Sequence, residues 1–301
     1  MLQHFHSQEV LPHRVVVLGG GGFIGGAIVR RLKGSGIACN SLGRPDFDLL
    51  KPGAAERLAQ TLGNQDTLIF VSAKAPCKDM DTLKVNNEMA QAVVAALRKK
   101  PVAHVVYISS DAVYKDSASP LTEESCAEPG SLHGVMHLTR EVALRQEFAG
   151  PVAAVRATLV YGLDDPHNGY GPNRFRRLAA AGQDIMLFGE GEEQRDHVHV
   201  DDIAELVRDI ILRRSTGIAN AVSGQVVSFH ALAQFAVTEF SSKSIIKGTP
   251  RNGPMPHNGL RPFDNSAVLK AFPGFRFKGW QEGLSAVHAQ HISQSKQGKT
   301  Q

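Results

Sequence analysis

The sequence predicts an α/β protein: a parallel sheet with helices on both faces, followed by a smaller and less regular C-terminal lobe. Three observations predict it. Short β-branched apolar runs alternate with helical periods from Arg14 to about Leu159. The first of these runs ends in a glycine turn that passes directly into a helix. After about residue 163 the alternation stops, and loop-forming Asp, Gly and Pro residues become frequent.

Taken in order, Val15–Leu18 is a strand by its unbroken apolar, β-branched content, and Gly25–Leu32 is the helix packed on it. Ile37–Leu42 is a second strand, Ala54–Leu62 a helix and Thr67–Val71 a third strand. Leu83–Lys99 is a long amphipathic helix with Val85, Met89, Ala92, Val93 and Ala96 on its apolar side. Val102–Ser109 (strand), His133–Phe148 (helix) and Val152–Leu159 (strand) continue the pattern, which requires right-handed crossovers between parallel strands. Beyond it, Asp164–Pro172 and the proline-rich Pro250–Pro262 read as loops, and Asp201–Arg213 as a helix opened by paired acids.

Composition narrows the function classes. Of 301 residues, 42% are hydrophobic and 21% charged, a globular balance that excludes wholesale disorder. There are 33 Lys and Arg against 29 Asp and Glu, a scattered excess of +4 that argues against nucleic acid and is compatible with an anionic small molecule. Three scattered cysteines (Cys39, Cys77, Cys126) make neither a disulfide framework nor a thiolate zinc site. No apolar run has membrane-spanning length and no secretory signal is visible, so a cytoplasmic protein is expected.

The run Arg14-Val-Val-Val-Leu-Gly19-Gly-Gly-Gly22-Phe23-Ile24-Gly25 carries the first chemical signal. Gly19 allows a tight turn, Gly22 lets the backbone approach a pyrophosphate, and Gly25 lets the helix pack close to its strand. The helix N-terminus then faces the phosphates with free N–H groups. This is the phosphate cradle of a Rossmann-type dinucleotide site. At the end of the second strand an NAD site wants an acid; the chain has Gly43-Arg44 instead. A guanidinium suits the 2′-phosphate of NADP, so NADP is preferred to NAD. The expected organisation is a flexible lead-in (1–13), a dinucleotide-binding domain (14–162), mainly a substrate-binding lobe with parts returning to the first domain (163–292), and a flexible tail (293–301).

Further motifs in this order resemble the extended short-chain dehydrogenase/reductase family, the nucleotide-sugar epimerases, dehydratases and reductases. They are the glycine run, Asp48-Leu49, Val71-Ser-Ala73-Lys-Ala75, Val85-Asn86, Tyr107-Ile-Ser-Ser110-Asp-Ala-Val-Tyr114, Arg156–Gly162, Gly189–Asp202 and Arg261-Pro-Phe-Asp264. The resemblance spans about residues 14 to 285. It implies that Asp48 and Leu49 contact the adenine end of the cofactor, with Ala73 and Asn86 also at the cofactor. It implies Ser110 at the catalytic hydroxyl, and Arg195 and Arg261 on a nucleotide diphosphate; from the residues themselves, Asn173 and Arg174 follow Gly171-Pro172, an expected opening of a short helix that suits the same anion. It further implies a homodimer through the helices Leu83–Lys99 and His133–Phe148.

One departure stands out. The family's tyrosine and, four residues later, lysine are replaced by His133 and His137, in a register held by Gly134 and Glu141. Imidazole titrates near neutrality without a lysine's help, so a Ser110/His133 acid–base site, with His137 also at the cofactor, is chemically coherent. Its shorter reach than a phenol argues the other way. A catalytically inactive cofactor-binding protein, a metal on the i, i+4 histidine pair, or a catalytic Tyr161 or Lys74 remain open; no third metal ligand or adjacent acid is evident. His197 and His199, two apart on one strand, read as packing.

Overall fold

A computed structural model describes residues 2–44, 46–240 and 242–297. In chain order the elements are β1 (Gln3–His4), β2 (Arg14–Leu18), α1 (Phe23–Gly34), β3 (Cys39–Leu42), α2 (Ala54–Thr61), β4 (Asp66–Phe70), α3 (Met80–Lys99), β5 (His104–Ser110), α4 (Leu132–Glu147), β6 (Val152–Ala157) and β7 (Leu159–Tyr161). They continue as α5 (Pro172–Ala180), β8 (Ile185–Phe188), β9 (Gln194–His199), α6 (Val200–Leu212), β10 (Ser215–Ala221), β11 (Val226–Ser228), α7 (Phe229–Glu239), β12 (Ile246–Thr249), β13 (Leu260–Arg261), α8 (Ser266–Ala271) and α9 (Trp280–Gln297).

The main sheet has seven strands in the order β1-β10-β6-β5-β4-β2-β3, parallel throughout except for β1. Its faces are both buried, which is why its strands read as unbroken apolar runs. Val15 and Val17 of β2 point to the side covered by α1 and α6, where Ile28, Leu32, Ile203, Leu206 and Ile210 pack. Val16 and Leu18 point to the opposite side, against α2, α3 and α4 through Leu58, Met89, Val93, Leu97 and Leu144. The order of strands reverses beside β2, and a ligand crevice is expected there, at the carboxyl ends of the strands.

The smaller lobe is built on β7, β9, β11 and β13, on the pair β8–β12, and on α5, α7 and α9. Phe175, Leu187, Phe229, Leu232, Leu284 and Val287 form its core. β10 and α6, which follow the first part of this lobe in sequence, return to the main sheet and its α1 side. Two boundary expectations change. Of residues 2–13, expected to be a flexible lead-in, Phe5, His6 and Val10 donate their amides to the carbonyls of Arg213 and Leu212 at the end of α6, and Gln3–His4 lie on the open edge of the sheet. There β1 pairs antiparallel with β10, and the His4 ring bonds Ser215 (2.8 Å) and the Ala271 carbonyl (3.0 Å). Of the expected tail, Ser293–Gln297 prolong α9, and 298–301 lie outside the described residues.

Helix α4 is locked to the sheet by one buried carboxylate. Glu141 accepts from Ser109 Oγ of β5 at 2.6 Å and from Arg156 Nε and Nη2 of β6 at 2.9 and 2.7 Å. The pair is buried on both sides, and the Arg156 guanidinium also lies over the Tyr114 ring. Removing one member of such a pair strands the other charge in a low-dielectric interior. Glu141→Ala is therefore expected to lower the unfolding free energy by about 3–5 kcal/mol, and Glu141→Leu with Arg156→Met to recover most of it. Urea unfolding of the three proteins measures both, and a loss below ~1 kcal/mol in Glu141→Ala contradicts this account.

Candidate active site

A cleft of about 600 Å³ runs across the carboxyl ends of β2 to β6. At its start the chain turns from β2 into α1, and packing demands glycine there: a Cβ on Gly25 would stand 2.1 Å from the Gly19 carbonyl oxygen. Gly21 faces open space, and no side chain caps α1, so the first N–H groups of that helix are left for a ligand. These features fit a dinucleotide's pyrophosphate. Gly19, Gly22, Phe23, Ile24 and Gly25 line this end with Arg44, Asp48 and Leu49. Arg44 is exposed and carries no ion pair among the described residues, whereas Asp48 accepts from the Leu50 amide at 2.9 Å. Ala73, after β4, lines the middle.

Asn86 differs from its expected place. It is fully buried and does not line the cleft; its side chain clamps the backbone of Lys74 through Nδ2 and Oδ1 (both 2.9 Å). It therefore shapes the Ser72–Ala75 wall and leaves cofactor contact to its neighbours.

At the far end the cleft is lined by Ser110, His133, His137 and Thr158, with Asp165–His167 from the smaller lobe. Ser110 Oγ accepts from the Ala112 amide (3.2 Å) and donates to Asp111 Oδ1 (3.3 Å). His133 stands in the first turn of α4, which Ser131 caps by accepting from the Gly134 amide at 3.2 Å. His133 Nδ1 accepts from the Cys77 amide at 3.4 Å, and its ring meets the His137 ring edge-on, 4.7 Å between centroids. Burial holds His133 below its ordinary pKa, with Asp111 opposing and Arg140 adding to the effect. His137, 7% exposed, is held well below by burial, by His133 and by Arg140. Its Nδ1 lies 2.7 Å from the Tyr107 hydroxyl, a partnership across two elements that no local motif announces. Tyr161 and Lys74 do not line the cleft; the Tyr161 hydroxyl is packed against Gly283. Among the described residues no group of three or more His, Cys, Asp or Glu side chains is placed to hold a metal.

The smaller lobe places the expected diphosphate residues unequally. Arg261, 1% exposed, has all three nitrogens engaged: Nε with Asp111 Oδ2 (3.0 Å), Nη1 with Asp116, which also accepts from His257 Nδ1 (2.6 Å), and Nη2 with the carbonyls of Asp111 (2.7 Å) and Tyr114 (3.3 Å). Asn173 is likewise engaged, accepting from the Gly162 amide and donating to Asp165. Arg195 pairs with Glu193 at 3.3 Å, although its Nε is buried without a partner among the described residues. Only Arg174 is exposed, at the start of α5, which Gly171 and Pro172 open as the sequence suggests. His197 packs edge-on against Phe229, and His199 accepts from the Asp201 amide to cap α6.

Known proteins resemble this chain in sequence and in fold. The model of the NAD dependent epimerase/dehydratase family matches residues 15–222. An uncharacterized UDP-glucose epimerase of Bacillus subtilis, YtcB, is 25% identical over 181 residues, covering 56% of this chain and 56% of that protein. The UDP-glucose 4-epimerase of Mycolicibacterium smegmatis is 28% identical over 228 residues, 64% of this chain and 71% of that protein. Among solved structures, a GDP-L-fucose synthetase from Naegleria fowleri bound to NADP superposes with a TM-score of 0.80 at 16% identity, covering 98% of each chain; at that identity the likeness shows the fold.

Since Arg261 is a buried, saturated counter-ion, Arg261→Ala is expected to act first on stability. Stranding Asp111 costs about 3–5 kcal/mol, a fall of several degrees in the melting temperature. Calorimetry of the two proteins decides it; an unchanged melting temperature would mean that the side chain is free to serve a substrate.

Proposed function

Because the chain belongs to the NAD dependent epimerase/dehydratase family, we propose that it binds NADP, or NAD with lower affinity, and acts on a nucleotide-activated sugar, with Ser110 and His133 at the chemistry. The carrying observation is the single cleft that begins at the uncapped glycine turn and ends at Ser110, His133 and His137. The names of the relatives, two UDP-glucose epimerases and a GDP-sugar enzyme, support a nucleotide sugar as the substrate class. When bound, the cofactor supplies a nicotinamide that accepts or returns a hydride.

The protein's own residues do the rest. The α1 N-terminus and the glycine turn receive the pyrophosphate, and Arg44 the 2′-phosphate. Ser110 positions a sugar hydroxyl or carbonyl oxygen, and His133 is the proton-handling group beside it. In this reading the protein works as a homodimer through α3 and α4, as the family resemblance implies. The rival reading is a cofactor-binding protein without turnover. It is favoured by the burial of His137 and the half-burial of His133, which limit how much of either ring can reach a substrate.

Two measurements test the proposal. Turnover with a panel of UDP- and GDP-sugars is expected with the wild-type chain, to be lost in His133→Ala and to persist at a reduced rate in His137→Ala; tight cofactor binding with no turnover on any sugar supports the rival. By titration, Arg44→Ala is expected to weaken NADP roughly tenfold or more and NAD less than twofold, since a hydrogen-bonded ion pair is worth about 1.5–3 kcal/mol. Equal weakening of both refutes the assigned preference.

A further inference from the structure

We propose that the two imidazoles at the cofactor's reactive end are a fixed pair of neutral hydrogen-bond donors, both in the Nε2–H tautomer, with Tyr107 as the positioning residue for His137 and the Cys77 amide for His133. The pair would take an acceptor oxygen: a ribose hydroxyl of the cofactor or a carbonyl of the sugar. This rests on the proposed function for the site and its ligands, and it fixes the resting form of His133, a neutral ring offering Nε2–H to an oxygen; any proton handling by His133 starts from that form.

The assignment follows from donor and acceptor accounting. Tyr107 is 1% exposed, and among the described residues its hydroxyl has one hydrogen-bond partner, His137 Nδ1 at 2.7 Å. Burial pushes the phenol's pKa up, so the O–H is retained, and the nearby Arg140 can only donate. Were Nδ1 the protonated nitrogen, the buried O–H would have no acceptor at all, the situation that native interiors avoid. The phenol therefore donates to Nδ1, the hydrogen sits on Nε2, and Nε2 is the ring nitrogen left for the cleft that His137 lines.

For His133 the donor is the backbone. The Cys77 N–H points at Nδ1 from 3.4 Å, so a hydrogen on Nδ1 would set donor against donor, and Nε2 again carries it. Protonating either ring to imidazolium is opposed from several sides. His133 lies at the positive N-terminal end of α4. Arg140, buried, stands one turn beyond His137, and its hydrogen bonds go to neutral acceptors: the carbonyls of Asn86 and Ser72 and the Asn86 side chain. Asp111 is the acid that opposes this, at His133.

The test reads tautomers directly. In the full chain labelled with 15N-histidine and free of cofactor, long-range 1H–15N correlation is expected to show Nδ1 as the unprotonated nitrogen and Nε2 as the protonated one in both residues. His133→Gln and His137→Gln assign the signals. Tyr107→Phe is expected to turn His137 into a tautomer mixture, to leave His133 unchanged, and to weaken NADP binding roughly tenfold. A protonated Nδ1 in either wild-type histidine overturns the proposal, as does an unchanged His137 in a folded Tyr107→Phe. If that variant does not fold, the wild-type spectrum decides alone. Failure of turnover or of cofactor binding counts against the proposed function and leaves the tautomer result standing.

Discussion

The site depends on one constraint: where helix α4 sits against β5 and β6. At its first turn the backbone of Gly134 touches the sheet side so closely that a Cβ there would stand 2.0 Å from the Ala112 carbonyl oxygen and 2.7 Å from the Pro129 ring. Two turns on, Glu141 is gripped by Ser109 and Arg156. A helix fixed at two points seven residues apart can neither slide nor rotate, and the positions between them inherit the register. His133 and His137 face the cleft for that reason, whatever their side chains are. The buried ion pair contributes less through its net energy than through the penalty for any arrangement that separates it.

The smaller lobe shows a second consequence of paired charge. Arginine in a cleft suggests an anion, but the guanidiniums here meet carboxylates of the same chain first. Asp111 and Asp116 hold Arg261, and Glu193 sits between Arg195 and Arg251. An incoming diphosphate would have to displace these carboxylates or find other donors. At the start of α5, a helix without a side-chain cap, Arg174 is exposed and carries no ion pair among the described residues. On the proposed function, a diphosphate would meet fewer competing carboxylates at the opening of α5 than at the arginine that closes the lobe's sheet.

What the sequence made legible follows from burial. β2, β4, β5 and β6 are covered on both faces, so their apolar runs are continuous, and the helices between them show one apolar stripe; fold class and the glycine cradle are read from those patterns within a few residues. β1 escaped because Gln3 and His4 carry no such pattern; the edge of β10 and the end of α8, distant in sequence, give them structure. Asn86 has the right type and place for a cofactor contact, but its amide is drawn into the buried link between Lys74 and Arg140. Arg261 misleads in the same way, since its partners Asp111 and Asp116 lie about 150 residues away in sequence. Pairings between distant polar side chains leave no periodicity to read.

Two histidines at the positions where the family resemblance implies a tyrosine and a lysine make electrostatic sense around Arg140. That guanidinium is buried, lies 4.8 Å from the centre of the Phe70 ring, and has no carboxylate partner among the described residues. An ammonium at position 137, one turn before it on the same helix, would be a second desolvated cation within a few ångströms, and their repulsion in that medium would be severe. A neutral imidazole relieves the repulsion and still offers a hydrogen, provided that its other nitrogen is satisfied, which Tyr107 does. The three residues are thus one unit: Arg140 excludes a charge, His137 supplies a donor without one, and Tyr107 decides which nitrogen carries it. A chain that gained lysine at 137 while keeping Arg140 would have to lose something else, either the burial of the helix or the ionisation of the lysine itself.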